Sequence, residues 1–155
     1  MAVTTVSSSY ALLDQRHRLL VGNPCTPTAS AIASNNLMFG KGGSDKLCDS
    51  EGNNTLYGGK GDDYLIGGLG NDLLSGGMGG DRFVLTAGSS PDLITDLTKG
   101  EDLLVLGRGL TFAQLSITQN ANSAFIRIGQ NNQLLTTVNR VPASAIDLND
   151  FTIFG

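Results

Sequence analysis

The sequence predicts an all-β protein with a parallel solenoid in its central part, and three observations support this prediction. The nine-residue stretches GGKGDDYLI, GGLGNDLLS and GGMGGDRFV follow one another without a break over residues 58–84. Of the 21 glycines, 14 lie between Gly40 and Gly80. The chain after residue 84 contains short runs of β-forming residues that are separated by turn-forming residues.

Residues 1–30 are predicted to form an N-terminal cap segment with a short amphipathic helix over Tyr10–Val21. Leu12, Leu13, Leu19 and Leu20 would lie near one face of this helix, and Pro24 and Pro27 disfavour its continuation. Two interpretations remain open. The helix either covers the open edge of the first coil, or docks on a partner or a membrane surface.

The repeat extends backward from the three clean copies and occupies residues 31–84, with less regular copies at 49–57, 40–48 and 31–39. We expect each copy to supply a six-residue turn and a three-residue strand, so that two copies complete one coil. Residues 18 apart would then stack at about 4.8 Å. The eighth positions would meet inside as a thin core; they are Met38, Leu47, Leu56, Leu65, Leu74 and Phe83.

Residues 85–155 are predicted to form a small β-rich C-terminal cap. The runs LSITQ, AFIRIG and LLTTV alternate with the turn-forming stretches NANS and GQNNQ, which indicates an antiparallel sheet with hairpin turns. The stretch PASAIDLNDF predicts a helical turn before the end of the chain.

The sixth position of the repeat places an aspartate or asparagine in every stacked turn. A column of carboxylates about 4.8 Å apart is repulsive. A calcium ion between two turns would relieve this repulsion, because Ca²⁺ takes 6–8 oxygen ligands at roughly 2.3–2.6 Å. The glycines suit such a site, since they allow backbone conformations that turn carbonyl oxygens toward an ion. The spacing therefore predicts a series of calcium sites along the solenoid.

The pattern G-G-x-G-x-D-x-U-x resembles the RTX, or hemolysin-type, calcium-binding repeat. The stretch DLITDLTKGEDLLVL is similar to the segment that follows the repeats in serralysin-type C-terminal domains. The resemblance implies a parallel β-roll and several Ca²⁺ ions, bound by backbone carbonyls and by the aspartates of stacked turns. The first site it implies consists of Lys41, Gly43, Asp45, Gly58, Lys60 and Asp63, and the second of Gly59, Gly61, Asp63, Gly76, Met78 and Asp81.

On the opposite side of the roll, the resemblance implies a third site, which consists of Ser50, Gly52, Asn54, Gly67, Leu69 and Asp72. Asn54 stands where the family has aspartate, so we expect weaker binding there. A site that pairs Asn36 with Asn54 would have no aspartate and is predicted to be empty. Asp92 and Asp102 match acidic positions that bind calcium after the repeats; the alternative is that they cap backbone amides or lie in solvated turns.

Other functions find little support in the sequence. The net charge of −4 argues against nucleic-acid binding, and no run approaches the ~20 apolar residues of a membrane-spanning helix. The motifs HExxH and GxSxG are absent and the single histidine is His17, so we expect a non-enzymatic protein. Cys25 and Cys48 are too few for a disulfide framework and do not resemble a zinc site.

The N-terminus lacks the features of a Sec-type signal peptide. The resemblance implies an extracellular protein that folds on binding calcium and leaves the cell by type I secretion, because DFTIFG is similar to the C-terminal signals of that route. Two alternatives remain open. The chain could be a surface or matrix adhesion protein that binds a surface glycan or protein, or a detached accessory module of a larger RTX enzyme.

Overall fold

The computed structural model describes residues 11–12, 35–49, 51–88, 90–107 and 109–153. These residues contain thirteen strands and three 3₁₀ helices, the latter at Phe112–Gln114, Ala143–Ala145 and Leu148–Asp150. The strands are β1 (Ala11–Leu12), β2 (Leu37–Phe39), β3 (Lys46–Cys48), β4 (Thr55–Lys60), β5 (Tyr64–Ile66), β6 (Leu73–Met78), β7 (Arg82–Leu85), β8 (Asp92–Ile94), β9 (Leu103–Leu106), β10 (Leu115–Asn120), β11 (Ser123–Ile128), β12 (Gln133–Asn139) and β13 (Phe151–Ile153).

Successive strands of the repeat alternate between two parallel sheets, as the nine-residue period predicts. One sheet has the order β1-β2-β4-β6-β8-β12-β11-β10, and the other has the order β13-β9-β7-β5-β3. Within the repeat the paired residues are 18 apart, as in Leu37 with Thr55 and Lys46 with Tyr64. The predicted β-roll and its two-copies-per-coil geometry are therefore confirmed.

The space between the two sheets is filled by the eighth-position side chains. Because side chains alternate across a strand, the eighth-position residue of each copy points inward while its two neighbours in the strand point outward. All six are fully buried: Met38, Leu47, Leu56, Leu65, Leu74 and Phe83. The core continues through Ile94 and Leu104 in the next coil.

The parallel stacking does not end with the last nine-residue copy. β8 pairs with β6 in a register that places Leu73 beside Leu93, and β9 pairs with β7 in a register that places Arg82 beside Leu103. Both offsets are longer than the offset within the repeat, so longer turns replace the six-residue turns while the strands stay paired. This coil carries Asp92 and Asp102.

The C-terminal part completes both sheets. β10, β11 and β12 form the predicted antiparallel sheet, and β12 then pairs in parallel with β8. β13 pairs in parallel with β9 and forms an edge of the second sheet. The expected helical turn near the end is present as the 3₁₀ helices at Ala143–Ala145 and Leu148–Asp150.

The predicted N-terminal helix is wrong at the two of its positions that the structure describes. Ala11 and Leu12 form β1, which pairs in parallel with Met38 and Phe39 of β2. The exposed backbone groups of an edge strand favour such pairing over a helix at these positions. The remaining positions of the predicted helix, together with His17 and Cys25, lie outside the described residues.

Candidate metal centre

The sixth-position side chains of the repeat, together with Asp92 and Asp102 of the coil that follows it, form two ladders, one along each row of turns of the roll. The first ladder consists of Asp45, Asp63, Asp81 and Asp102, and the second consists of Asn36, Asn54, Asp72 and Asp92. In each ladder the Oδ1 atom of one member accepts a hydrogen bond from the backbone N–H of the member before it. The N···O distances in the first ladder are 2.7, 2.8 and 2.8 Å.

These bonds use only one oxygen of each carboxylate. The Oδ2 atoms of Asp63, Asp72 and Asp81 are buried and accept no hydrogen bond from the described residues. A buried carboxylate oxygen without a donor is costly, and such atoms are rare in native proteins. Three of them at equivalent positions indicate that the turns are built to hold a cation.

Glycine at the first position of the repeat makes room beside each of these oxygens. A Cβ atom at Gly58 would overlap Asp63 Oδ2 and lie 2.5 Å from the carbonyl oxygen of Gly76. A Cβ atom at Gly76 would overlap Asp81 Oδ2. Asp63 Oδ2 and the Gly76 carbonyl, both predicted ligands of the second site, therefore lie close together beside Gly58.

The predicted carbonyl ligands of the earlier turn point toward the next turn on the same side of the roll. Lys41 O lies 2.5 Å from the position that a Cβ atom of Gly59 would take, and Gly43 O lies against Gly61 in the same way. Gly59 and Gly61 have φ angles of 119° and 113°, which side chains disfavour. The same relation brings the carbonyls of Gly59 and Gly61 against Gly77 and Gly79.

The third-position carbonyls of the later turn point back toward the earlier one. Lys60 O accepts a hydrogen bond from Gly43 N at 2.6 Å, and Met78 O accepts one from Gly61 N at 2.7 Å. The predicted ligands of the first two sites therefore lie between neighbouring turns, and the atoms that would bind a cation are carboxylate and carbonyl oxygens.

Burial makes these carboxylates difficult to ionise without a counter-charge. Desolvation raises the pKa of Asp63 to about 6 and that of Asp81 to about 7, with further increases from neighbouring carboxylates and partial relief from backbone N–H donors. The pKa values of Asp72 and Asp102 are also raised, chiefly by burial. A divalent cation would reverse this effect, because it favours the ionised form.

The second ladder has the same backbone geometry but different side chains. Asn54 N donates to Asp72 Oδ1 at 2.7 Å, and Asn36 N donates to Asn54 Oδ1 at 2.9 Å. Gly52 O lies against Gly70, and Leu69 forms a bridge with Glu51. The predicted ligand Ser50 lies outside the described residues.

The two acidic residues predicted after the repeat both continue the ladders. Asp92 Oδ1 accepts from Asp72 N at 3.1 Å, and burial raises the pKa of Asp92 to about 8. Asp102 Oδ1 accepts from Asp81 N, while its Oδ2 accepts from Thr98 N at 2.7 Å. Both oxygens of Asp102 thus bind backbone amides, which matches the alternative of a capping role.

Asp96 was not singled out in the sequence, because it lies outside the nine-residue pattern. Its carboxylate accepts hydrogen bonds from Gly76 N at 3.0 Å, Gly77 N at 3.1 Å and Ser75 Oγ at 2.7 Å. It thereby binds backbone amides of the last complete turn. Its charge also raises the pKa of Asp81.

The oxygen atoms that line the first two sites suit calcium. No cluster of three or more His, Cys, Asp or Glu side chains capable of holding a metal occurs among the described residues. The predicted sites do not require one, because each combines two carboxylates with backbone carbonyls. Oxygen-only sets that include carbonyls are typical of Ca²⁺.

The fold and these oxygen-lined turns define the class of protein, a calcium-binding parallel β-roll. Residues 49–83 match the family model of the RTX calcium-binding nonapeptide repeat, which contains four copies. These residues therefore belong to that repeat family, and several Ca²⁺ ions are its expected cofactor. No curated protein matches the chain.

Solved structures show the same fold. The AlgE6R3 subunit of the mannuronan C5-epimerase from Azotobacter vinelandii is 24% identical, with a TM-score of 0.61 and coverage of 82% of each chain. The AlgE6R2 subunit from the same organism is 21% identical, with a TM-score of 0.52 and coverage of 79% of this chain and 94% of that one. None of the helices in the described part of the chain has the length and apolar character that a bilayer crossing requires.

Proposed function

We propose that this chain is a non-catalytic β-roll whose folding is coupled to calcium binding and which works outside the cell. The observation that supports this proposal is the set of buried Oδ2 atoms of Asp63, Asp72 and Asp81, which accept no hydrogen bond from the described residues. A bound cation would supply the positive charge that these oxygens lack. Without it, the ladders hold either repelling carboxylates or protonated ones.

The residues of the first ladder would hold the ions in the roles that the repeat assigns them. We call the space between two successive turns on the same side of the roll a layer. Asp63 contributes to two layers, because its Oδ1 atom accepts a hydrogen bond from Asp45 N and its Oδ2 atom lies near the Gly76 carbonyl. Lys41, Lys60 and Met78 contribute only their backbone carbonyls. The side chains at these three positions therefore tolerate change better than the glycines beside them.

An extracellular location agrees with this coupling. Extracellular calcium modules bind with dissociation constants on the order of 10⁻⁴–10⁻³ M, a range in which an ion both fills sites and drives folding. Export by a type I route through the C-terminal residues, and binding of a surface glycan or protein, remain predictions from the sequence.

Far-UV circular dichroism with and without calcium tests the proposal. In millimolar calcium we expect the β signal of the two sheets, because the bound charge stabilises the stacked turns. In EGTA at pH 8 we expect that signal to be largely lost from the repeat, since carboxylates such as Asp63 and Asp81 are then ionised without a cation beside them. A spectrum that is the same in both buffers would contradict calcium-coupled folding.

A further inference from the structure

The second ladder contains a side chain that is turned the opposite way from what a metal site needs. Asn54 is 2% exposed, and its Oδ1 atom accepts the hydrogen bond from Asn36 N. This bond fixes the orientation of the amide. The Nδ2 group therefore faces the interior of the turn, where the aspartates of the first ladder present their Oδ2 atoms.

The Nδ2 group of Asn54 donates to the carbonyls that line this interior. It lies 3.3 Å from Gly52 O, 3.3 Å from Gly67 O and 3.4 Å from Glu51 O. Two of these carbonyls, those of Gly52 and Gly67, belong to the ligand set predicted for the third calcium site. An amide N–H₂ is a donor with partial positive charge, so it satisfies carbonyl oxygens and repels a cation.

The neighbouring layer is closed in a similar manner. The first position of this turn is Asp49, whereas Gly58, Gly67 and Gly76 occupy it in the next three copies. Asn36 Nδ2 donates to Asp49 Oδ2 at 2.6 Å. The Asp49 side chain thus occupies the first position of the repeat, where glycine leaves space in the later copies, and the amide of Asn36 donates a hydrogen bond to it.

We propose that the Asn54 amide takes the place of a calcium ion between Asn54 and Asp72, so that this layer of the roll closes without metal. The third site expected from the sequence is then not a calcium site in this chain. This inference rests on the proposed calcium binding at the other layers. It implies that the two sides of the roll differ, with one side dependent on metal along the repeat and the other held at its start by amide hydrogen bonds.

The test replaces the amide donor with a carboxylate. In Asn54→Asp the Oδ1 atom keeps the bond from Asn36 N, and the second oxygen takes the place of Nδ2, as in Asp63. Asn53→Asp is the matched control, because it adds the same charge one residue away on an exposed side chain whose oxygen accepts from Asn71 N. Position five accommodates aspartate, since Asp62 Oδ1 accepts from Gly80 N in the same way.

Isothermal titration calorimetry counts the ions, and thermal melting in calcium-free buffer and in saturating calcium gives a second readout. We expect Asn54→Asp to bind one ion more than the wild type and Asn53→Asp to bind the same number. Where the calcium-free proteins remain folded, Asn54→Asp should melt below Asn53→Asp, because it loses the hydrogen bonds that Asn54 Nδ2 donates and gains a charge beside Asp72. An Asn54→Asp protein that folds only with calcium, in a buffer where Asn53→Asp folds without it, supports the proposal equally.

Two outcomes would overturn the proposal and remain distinguishable from failure of the proposed function. If the wild type binds calcium and Asn54→Asp binds the same number of ions, the amide is not what closes the layer. If none of the three proteins binds calcium, both the inference and the proposed function are wrong. If only Asn54→Asp binds an ion, the amide does keep calcium out between Asn54 and Asp72, and the proposed calcium binding of the wild type at the other layers is wrong.

Discussion

At the scale of single residues, Asp63 is the residue whose replacement should affect calcium binding most. Its Oδ1 atom accepts from Asp45 N, and its own backbone N–H donates to Asp81 Oδ1. Its Oδ2 atom is buried beside the Gly76 carbonyl, without a hydrogen-bond donor among the described residues. The side chain therefore faces two inter-turn layers, whereas Asp45 faces one layer of the repeat.

We expect Asp63→Ala to lose two calcium ions and Asp45→Ala to lose one. Each change removes a charged ligand, so each should lower stability in calcium by more than about 0.5 kcal/mol, the usual limit for surface substitutions. Calorimetric stoichiometry measures the difference. Asp62→Ala is the control, because it removes the same charge from an exposed neighbour. Equal losses for Asp63→Ala and Asp45→Ala would show that the stacking of successive coils does not define the sites.

The sequence predicts some residue-scale features and not others. The nine-residue period gives the location of every apolar eighth position, so all six core residues of the repeat could be predicted from the sequence. The orientation of the Asn54 amide depends on a hydrogen bond from Asn36 N, which no pattern in the sequence encodes. Asp96 binds the amides of Gly76 and Gly77 across a longer turn, so its partners follow from the fold and not from the repeat.

At the scale of elements, the C-terminal strand β13 is held by an ion cluster as well as by its pairing with β9. Lys99 Nζ lies 2.7 Å from Asp147 Oδ2 and 3.2 Å from Asp150 Oδ2, and it also contacts the Ala145 carbonyl. Asp150 is 4% exposed and Lys99 is its cationic partner. The turn that precedes β9 is thereby connected to the segment that leads into β13.

Lys99→Met should loosen β13 while the repeat stays intact. The change removes the cation from Asp150 and leaves the strands of the roll unaltered, so we expect faster amide hydrogen exchange at Phe151–Ile153 and unchanged exchange in β4 and β6. The measurement is made in saturating calcium. Lys60→Met serves as the control, because it removes an exposed charge far along the chain from β13. Unchanged exchange in β13 would show that the cluster does not hold the strand.

The elements after residue 84 were predicted only in part. The antiparallel strands β10 to β12 follow from local alternation and turn residues, which a single sequence displays. The parallel pairings of β8, β9 and β13 join segments that are distant in the chain, as in Phe151 with Leu104, at offsets that the repeat period does not give. The Lys99 cluster joins two such distant segments, so it also requires the fold.

At the scale of the whole molecule, the raised carboxyl pKa values connect stability to pH. Burial raises the pKa of Asp63 to about 6, of Asp81 to about 7 and of Asp92 to about 8. A group whose folded-state pKa is raised binds its proton more tightly in the folded state. Its contribution to stability is therefore complete below the unfolded value near 3.8 and is lost as the pH rises through the folded value.

The contribution of Asp147 to stability has the opposite pH dependence, because its hydrogen bond with Lys99 lowers the pKa of its carboxyl. Its contribution is present above the unfolded value and is lost as the pH falls through the lower folded value. That loss occurs below pH 3.8, outside the window from about 4 to about 8 that the ladder residues define. Among the described residues with shifted carboxyl pKa values, the ladder residues therefore dominate the pH dependence in this window.

We expect acid to replace calcium in part as a stabiliser of the fold. In protein stripped of calcium, we expect a urea unfolding transition of the repeat at pH 5.5 that is lost, or shifted to lower urea, at pH 8.5, because protonation at the lower pH removes the repulsion between stacked carboxylates. In saturating calcium the urea midpoint should be equal at the two pH values or higher at pH 8.5, since the ligands must be deprotonated to bind the ion. Asp81→Asn is the control; it keeps the acceptor for Asp63 N but cannot ionise, so its calcium-free midpoint should depend less on pH. A stripped wild type that is no more stable at pH 5.5 than at pH 8.5 would contradict the electrostatic account of the ladders.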